Sequence, residues 1–213
     1  MNAAGRLGDD YQHAVAALVQ DPTAYFRVAL DEHFDALKLA WPHDPLITAR
    51  RVDGGYRITP RGDTDFAAIG APLGEAFRDV VVGATFRKLG GPENGVYGVL
   101  LRDGGPTPRD GRNQTGRFYL GQVDGRGAVS IWRREQELWF ELVPWRESSA
   151  VRSGDASNDV SFETVGGRLT LSVNGETAAI TDDAVLDQGR VGLFVAGGGN
   201  DVLVERFVVH ALR

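Results

Sequence analysis

From residue 50 to the C-terminus the chain is a succession of short runs in which apolar and polar residues alternate, separated by Gly, Pro, Asn and Asp. Period-two alternation marks strands with one buried face. Runs at this regular spacing belong to a sandwich or barrel, and we count about 12 of them. No helical crossovers interrupt the series, which excludes a parallel α/β sheet. Strands are predicted at 56–59, 66–70, 78–88, 96–102, 159–165, 168–173, 176–180, 190–196 and 201–211, with three more between Arg117 and Trp145. Gly166-Gly167 and Asn174-Gly175 are two-residue hairpin signals, the second fitting a type I′ turn because both positions need positive φ. The polar loop from Asp103 to Gly116 is long enough to suggest a functional loop.

The stretch RFYLGQVDGRGAVSIWRREQELWFELVPW reads as three consecutive antiparallel strands, each with one aliphatic face, and recognition is expected on the opposite face. With Phe118, Leu120, Val129, Ile131, Leu138, Phe140 and Leu142 turned to the core, alternation turns Tyr119, Trp132, Arg134, Trp139 and Glu141 the other way. Arg87 and Arg102, on neighbouring strands, are expected to share that face. Aromatic platforms beside arginines and an acid suit a sugar or a peptide: ring faces for C–H contact, rigid donors and an acceptor. The competing expectation is that these aromatics are covered and form a second small core.

Composition removes several chemistries. There is no cysteine, hence no disulfide, thiolate catalysis or Cys-bound zinc. The four histidines, His13, His33, His43 and His210, all lie outside residues 44–209, which argues against a histidine triad or metal site on the sandwich. A net charge of −6 disfavours a general nucleic-acid binder. No stretch approaches 18 consecutive apolar residues, so no membrane span is expected. The glycine runs lack a Walker lysine. No cofactor is called for. Calcium is the one candidate ion, with oxygen donors at Asp103, Asp110, Asp182, Asp183, Asn200 and Asp201. The N-terminus shows no signal-peptide pattern, so the chain as written is expected in the cytoplasm, or outside the cell if it is a fragment of a longer one.

The first 40 residues differ in texture. Tyr11, Val15, Leu18 and Val19 recur at helical spacing over 9–20, behind Asp9 and Asp10. Asp21-Pro22 is a cap and first-turn pair that predicts a second helix with Phe26, Leu30 and Leu37 on one side. Residues 1–40 are therefore expected to be a helical arm, and 41–213 the sandwich.

The segments NDVSFETVGGRLTLSVNGETAAI and GRVGLFVAGGGNDVLVERFVV resemble the closing strands of bacterial concanavalin A-like (laminin-G-like) jelly rolls. Asn174-Gly175, Gly189 to Phe194 and Phe207 occupy the matching places, and HFDALKLAWP followed by RRVDGGYRI is similar to their opening. The resemblance covers roughly residues 33–212 and implies an all-β, two-sheet antiparallel sandwich with one concave face. Among such domains are family 16 glycoside hydrolases and, more loosely, domains of the 3-keto-disaccharide hydrolase type. The Glu-x-Asp-x-x-Glu motif of family 16 is absent; Glu135, Glu137 and Glu141 are the nearest acids. Same-face neighbours on a strand sit about 7 Å apart, whereas retaining chemistry needs about 5 Å.

The reading that results is a non-catalytic recognition module that binds carbohydrate or protein through the concave face. An assembly subunit using the N-terminal arm is one alternative, and a glycan-active hydrolase another. Oligomeric state is open.

Overall fold

The computed structural model describes residues 26–35, 39–43, 48–60, 66–105, 109–110 and 116–212. These form fifteen strands and no helix. In chain order they are β1 (Phe26–Glu32), β2 (Ala49–Val52), β3 (Gly55–Ile58), β4 (Phe66–Gly70), β5 (Val80–Gly90), β6 (Val96–Asp103), β7 (Arg109–Asp110) and β8 (Gly116–Asp124). There follow β9 (Ala128–Gln136), β10 (Leu138–Glu147), β11 (Asn158–Val165), β12 (Arg168–Val173), β13 (Glu176–Asp182), β14 (Arg190–Ala196) and β15 (Asp201–Leu212).

They make two antiparallel sheets. One runs β13-β12-β11-β5-β15-β3-β2, with β1 also paired to β15; the other runs β10-β9-β8-β6-β14-β4-β7. β3 takes the Val202–Val204 half of one side of β15, and β1 takes the Phe207–Leu212 half. Asn174 and Gly175 have φ of 51° and 84°, the left-handed pair a type I′ turn demands, and Val173 lies opposite Glu176.

The core lies between the sheets. Val80, Val82, Ala84 and Phe86 of β5 alternate inward against Val99, Leu101, Val129, Ile131, Leu193 and Val195 of the facing sheet, all buried. Fully burying each larger aliphatic or aromatic side chain contributes roughly 1.5–3 kcal/mol. One corner is aromatic: Phe34 stacks on Tyr56 at 5.3 Å, and Trp41 meets Phe34, Tyr56 and Phe207. The Tyr56 hydroxyl donates to the Pro42 carbonyl at 2.5 Å, which fixes the chain's entry into β2 and β3.

The helix expected through Phe26 and Leu30 is corrected. That segment is β1, paired to β15 from Phe26–Leu212 to Glu32–Phe207. A bulge between Val28 and Leu30 interrupts the alternation, so the sequence pattern lost its period of two. The helix expected over 9–20 lies outside the described residues, as does Leu37.

Candidate functional site

The outer face of the seven-stranded sheet, turned away from the core, carries a cleft of about 1070 Å³. Its shape follows from the sheet's curvature. Phe66 on β4 and Trp139 on β10 are five strand steps apart, which on a flat sheet is roughly 24 Å. Their ring centroids are 5.7 Å apart. Only a strongly curled sheet with side chains bridging the hollow allows this, so the face is concave.

The bridge fills one end of the hollow. Phe66, Ala68, Leu100, Phe118, Leu120 and Phe194 form a second buried cluster, with Trp132 packed against it. Trp139 lies edge-on to Phe66, Phe118, Trp132 and Phe194. The Arg134 guanidinium sits 4.7 Å from the Trp139 ring centroid and 5.0 Å from that of Phe66. Arg134 is thus a cation that faces two rings set edge-to-face and is only 5% exposed.

The other end, towards the β8–β9 turn, is open and polar. Asp124, Gln122, Arg126 and Glu147 line it together with Asn94 and Trp145. The Asp124 carboxylate is fixed by the turn it closes: Oδ1 accepts from the backbone N–H of Arg126 at 3.0 Å and of Ala128 at 2.8 Å. The Ser130 hydroxyl oxygen accepts from Gln122 Nε2 at 2.9 Å and Trp132 Nε1 at 3.0 Å, which locks both side chains. Trp145 is 39% exposed, lines the cleft and makes no ring contact among the described residues. Three acids, Asp124, Glu137 and Glu147, and two arginines, Arg126 and Arg134, line the whole cleft.

Of the residues expected on this face, Trp132, Arg134 and Trp139 are brought together in the cleft. Glu141 pairs across from Trp132, on the same sheet face, but does not line the cleft. Three belong elsewhere. Tyr119 points into the core; its hydroxyl donates to Asp183 Oδ1 at 2.6 Å and accepts from the Leu186 N–H at 3.0 Å. Burial, with the Asp183 bond next, pushes its phenol up to about 12. Phe118 and Leu120, expected inward, take the cleft side instead. Arg102 has φ of 52°, which turns its side chain out of phase with β6. Its guanidinium donates to the carbonyls of Arg78, Leu186 and Gly166 at 2.6–3.0 Å. Arg87 lies in the opposite sheet and pairs with Glu205 at 3.0 Å.

Gln122, Asp124, Trp145 and Glu147 were missed. The parity of Gln122 and Asp124 was a usable signal, since polar residues at even positions of β8 mark its outward phase. Trp145 shares the parity of Trp139, but Pro144 reads as a strand end. Pro is tolerated here because β10 is an edge strand.

The three acids weighed for catalysis are dispersed. Glu135 is engaged by Arg133 at 3.0 Å and Arg117 at 3.5 Å, Glu137 lines the cleft from its turn, and Glu141 lies outside it. Four of the six oxygen donors considered for calcium have partners within the protein. Asp183 holds Tyr119 and Arg133, Asp201 holds Arg57 and Thr59, and Asp103 caps the Gly105 N–H. Asn200 accepts from Lys88 and donates to the Val96 and Ala196 carbonyls. No group of three or more His, Asp or Glu is placed to hold a metal among the described residues. No helix among them is long and apolar enough to cross a membrane.

Comparison with known proteins places the fold. A Bacillus subtilis protein of unknown function with a galectin-like fold superposes with a TM-score of 0.66, at 14% identity over 88% of this chain and 98% of its own. The carbohydrate-binding module CBM66 of Bacillus subtilis gives 0.60, at 13% identity over 85% and 95%. The β-glucanase of Bacillus licheniformis gives 0.55, at 9% identity over 86% and 98%. The chain therefore has the concanavalin A-like jelly-roll fold. In sequence, 103 residues are 32% identical to a segment of the FAD-linked oxidoreductase patO of Aspergillus clavatus. That match covers 46% of this chain and only 16% of the oxidoreductase. No family model matches the chain.

Proposed function

We propose that this domain is a carbohydrate-recognition module whose ligand lies in the concave cleft, stacked on Trp145 and Trp132 and hydrogen-bonded by Gln122, Asp124 and Glu147. The observation that carries this reading is the exposed indole of Trp145 standing beside side chains already locked by internal hydrogen bonds. Ring faces next to rigid acceptors suit a pyranose, which offers axial C–H groups to a ring and hydroxyls to carboxylates and amides. Preorganisation matters because a flexible site would lose affinity in ordering its side chains. The fold shared with CBM66 supports the same reading.

The acids outnumber the arginines along the cleft, and Arg134 is already engaged by two rings. Neutral glycans therefore suit the site better than uronate-rich ones. A titration of tryptophan fluorescence against a panel of neutral and acidic oligosaccharides tests this. Saturable quenching by a neutral glycan, lost in Trp145→Ala, is the expected result. Failure of every glycan to bind, or unaltered binding by Trp145→Ala, defeats the proposal. Assay of the same mixtures for new reducing ends separates recognition from hydrolysis.

A further inference from the structure

Strand β10 closes one side of the seven-stranded sheet with no strand beyond it among the described residues. Four large hydrophobic residues on this one strand are exposed: Leu138 at 66%, Trp139 at 37%, Phe140 at 38% and Trp145 at 39%. A long edge with unpaired backbone and apolar side chains is a template for another strand. Its second half is blunted. Register shifts follow Glu141 and Val143, and Pro144 removes a donor. Its first half, Leu138 to Glu141, carries neither device.

The hairpin fixes which groups face outward. Glu135 lies opposite Leu138 across the two-residue turn Gln136-Glu137, so these two must exchange backbone hydrogen bonds. The same holds for Arg133 and Phe140, two residues on. The N–H and C=O groups of Trp139 and Glu141 therefore point away from β9, at the open edge.

The geometry points to a dimer of this chain formed by antiparallel pairing of the two β10 edges, with the two-fold axis at Phe140. In that register Trp139 of each copy exchanges backbone bonds with Glu141 of the other, giving about four hydrogen bonds. Phe140 meets its symmetry mate as a non-hydrogen-bonded pair, the type in which side chains come closest. Leu138 faces the partner's Leu142. The two neighbouring registers are worse. Centring on Glu141 sets like charges opposite each other, and centring on Trp139 sets Glu141 against the partner's Glu137. Arg133, already 4.6 Å from the Phe140 ring and neutralised by Glu135 and Asp183, backs the aromatic contact without adding net repulsion. The consequence reaches the cleft: the partner's Glu141 stands beside Trp139 and Arg134, and the two hollows open on one continuous sheet. Nothing in this pairing depends on what the cleft binds.

Sedimentation velocity on the full chain over a wide concentration series tests it. A monomer–dimer equilibrium is expected for the wild type. Glu141→Pro removes an outward N–H that β9 does not use, and Phe140→Lys places charges against each other at the axis. Both are expected to stay monomeric at concentrations where the wild type is dimeric, with unchanged far-ultraviolet circular dichroism. Wild-type protein that stays monomeric throughout overturns the proposal, as does either variant, folded, associating as the wild type does. Should Glu141→Pro fail to fold, Phe140→Lys decides the question alone.

Discussion

Arg102 and Arg134 are both buried, at 3% and 5% exposure, and both were expected on one recognition face, yet their environments have little in common. Arg102 sits at the rim between the sheets, its guanidinium spent on the backbone carbonyls of Arg78, Leu186 and Gly166. Burial lowers its pKa, while Tyr119 and Asp79 act in the opposite direction. Arg134 stands in the concave hollow, its guanidinium carbon over the rings of both Trp139 and Phe66. The first arginine ties three chain segments together by directional bonds. The second completes an aromatic bridge that holds a curled sheet in shape. A buried guanidinium is therefore no mark of a binding site in itself; its partners decide.

The comparison can be broken most severely at the rim. Arg102→Met leaves three carbonyls without their donor, and removing one partner of such a buried charged network costs about 3–5 kcal/mol. Denaturant midpoints at unchanged m-value read this directly. Arg134→Met keeps the apolar bulk and loses the cation–π contacts, for a loss of about 1–2 kcal/mol. Equal losses at the two positions contradict the distinction.

Tyr119 sharpens the rim further. Its folded-state pKa of about 12 stands above the ordinary 10.0, so the folded protein holds this proton more tightly than the unfolded chain does. The associated stability is complete below pH 10 and is lost as pH rises towards 12. Tyr97, buried and likewise raised to about 12, acts in the same direction. Tyr119→Phe should cost about 1–3 kcal/mol at neutral pH, from the unpaired Leu186 N–H and the lost bond to Asp183. It should also flatten the alkaline fall in stability, which equilibrium unfolding at stepped pH measures. An unchanged alkaline slope in the variant would show that Tyr119 does not carry it.

These contrasts explain what was legible in the sequence. Hairpins announced by Gly166-Gly167 and Asn174-Gly175 were readable because turn chemistry is local. Strands β4, β12 and β14 were bounded to the residue, since each is a short run closed by glycine or a charged residue. The face of β8 was not readable from Phe118-Tyr119-Leu120, three consecutive apolar residues that satisfy either phase. Both faces of that strand are in fact apolar there, one against the main core and one against the aromatic bridge. The positions of Arg87 and Arg102 depended on which sheet each strand joins and on a positive φ at Arg102, neither of which alternation encodes. The cleft required curvature, a property of the whole sheet.

The finest test separates two tryptophans within the concave face. Trp139 touches four other rings and Arg134, so Trp139→Ala opens the second core and should cost about 3–5 kcal/mol, the range for a buried aromatic, reduced by its 37% exposure. Trp145 makes no such contacts, and Trp145→Ala should change stability by less than about 1 kcal/mol. The two also differ as platforms. Arg134 already covers one face of Trp139, whereas no ring or guanidinium packs on Trp145 among the described residues. Trp145→Ala should therefore remove glycan binding while leaving the melting curve where it was, and Trp139→Ala should shift both. Calorimetric titration alongside thermal unfolding of the two variants reads both quantities on the same samples. If Trp145→Ala lowers the melting temperature as far as Trp139→Ala does, the indole at 145 is part of the packing, and the division of this face into a structural end and a ligand end is wrong.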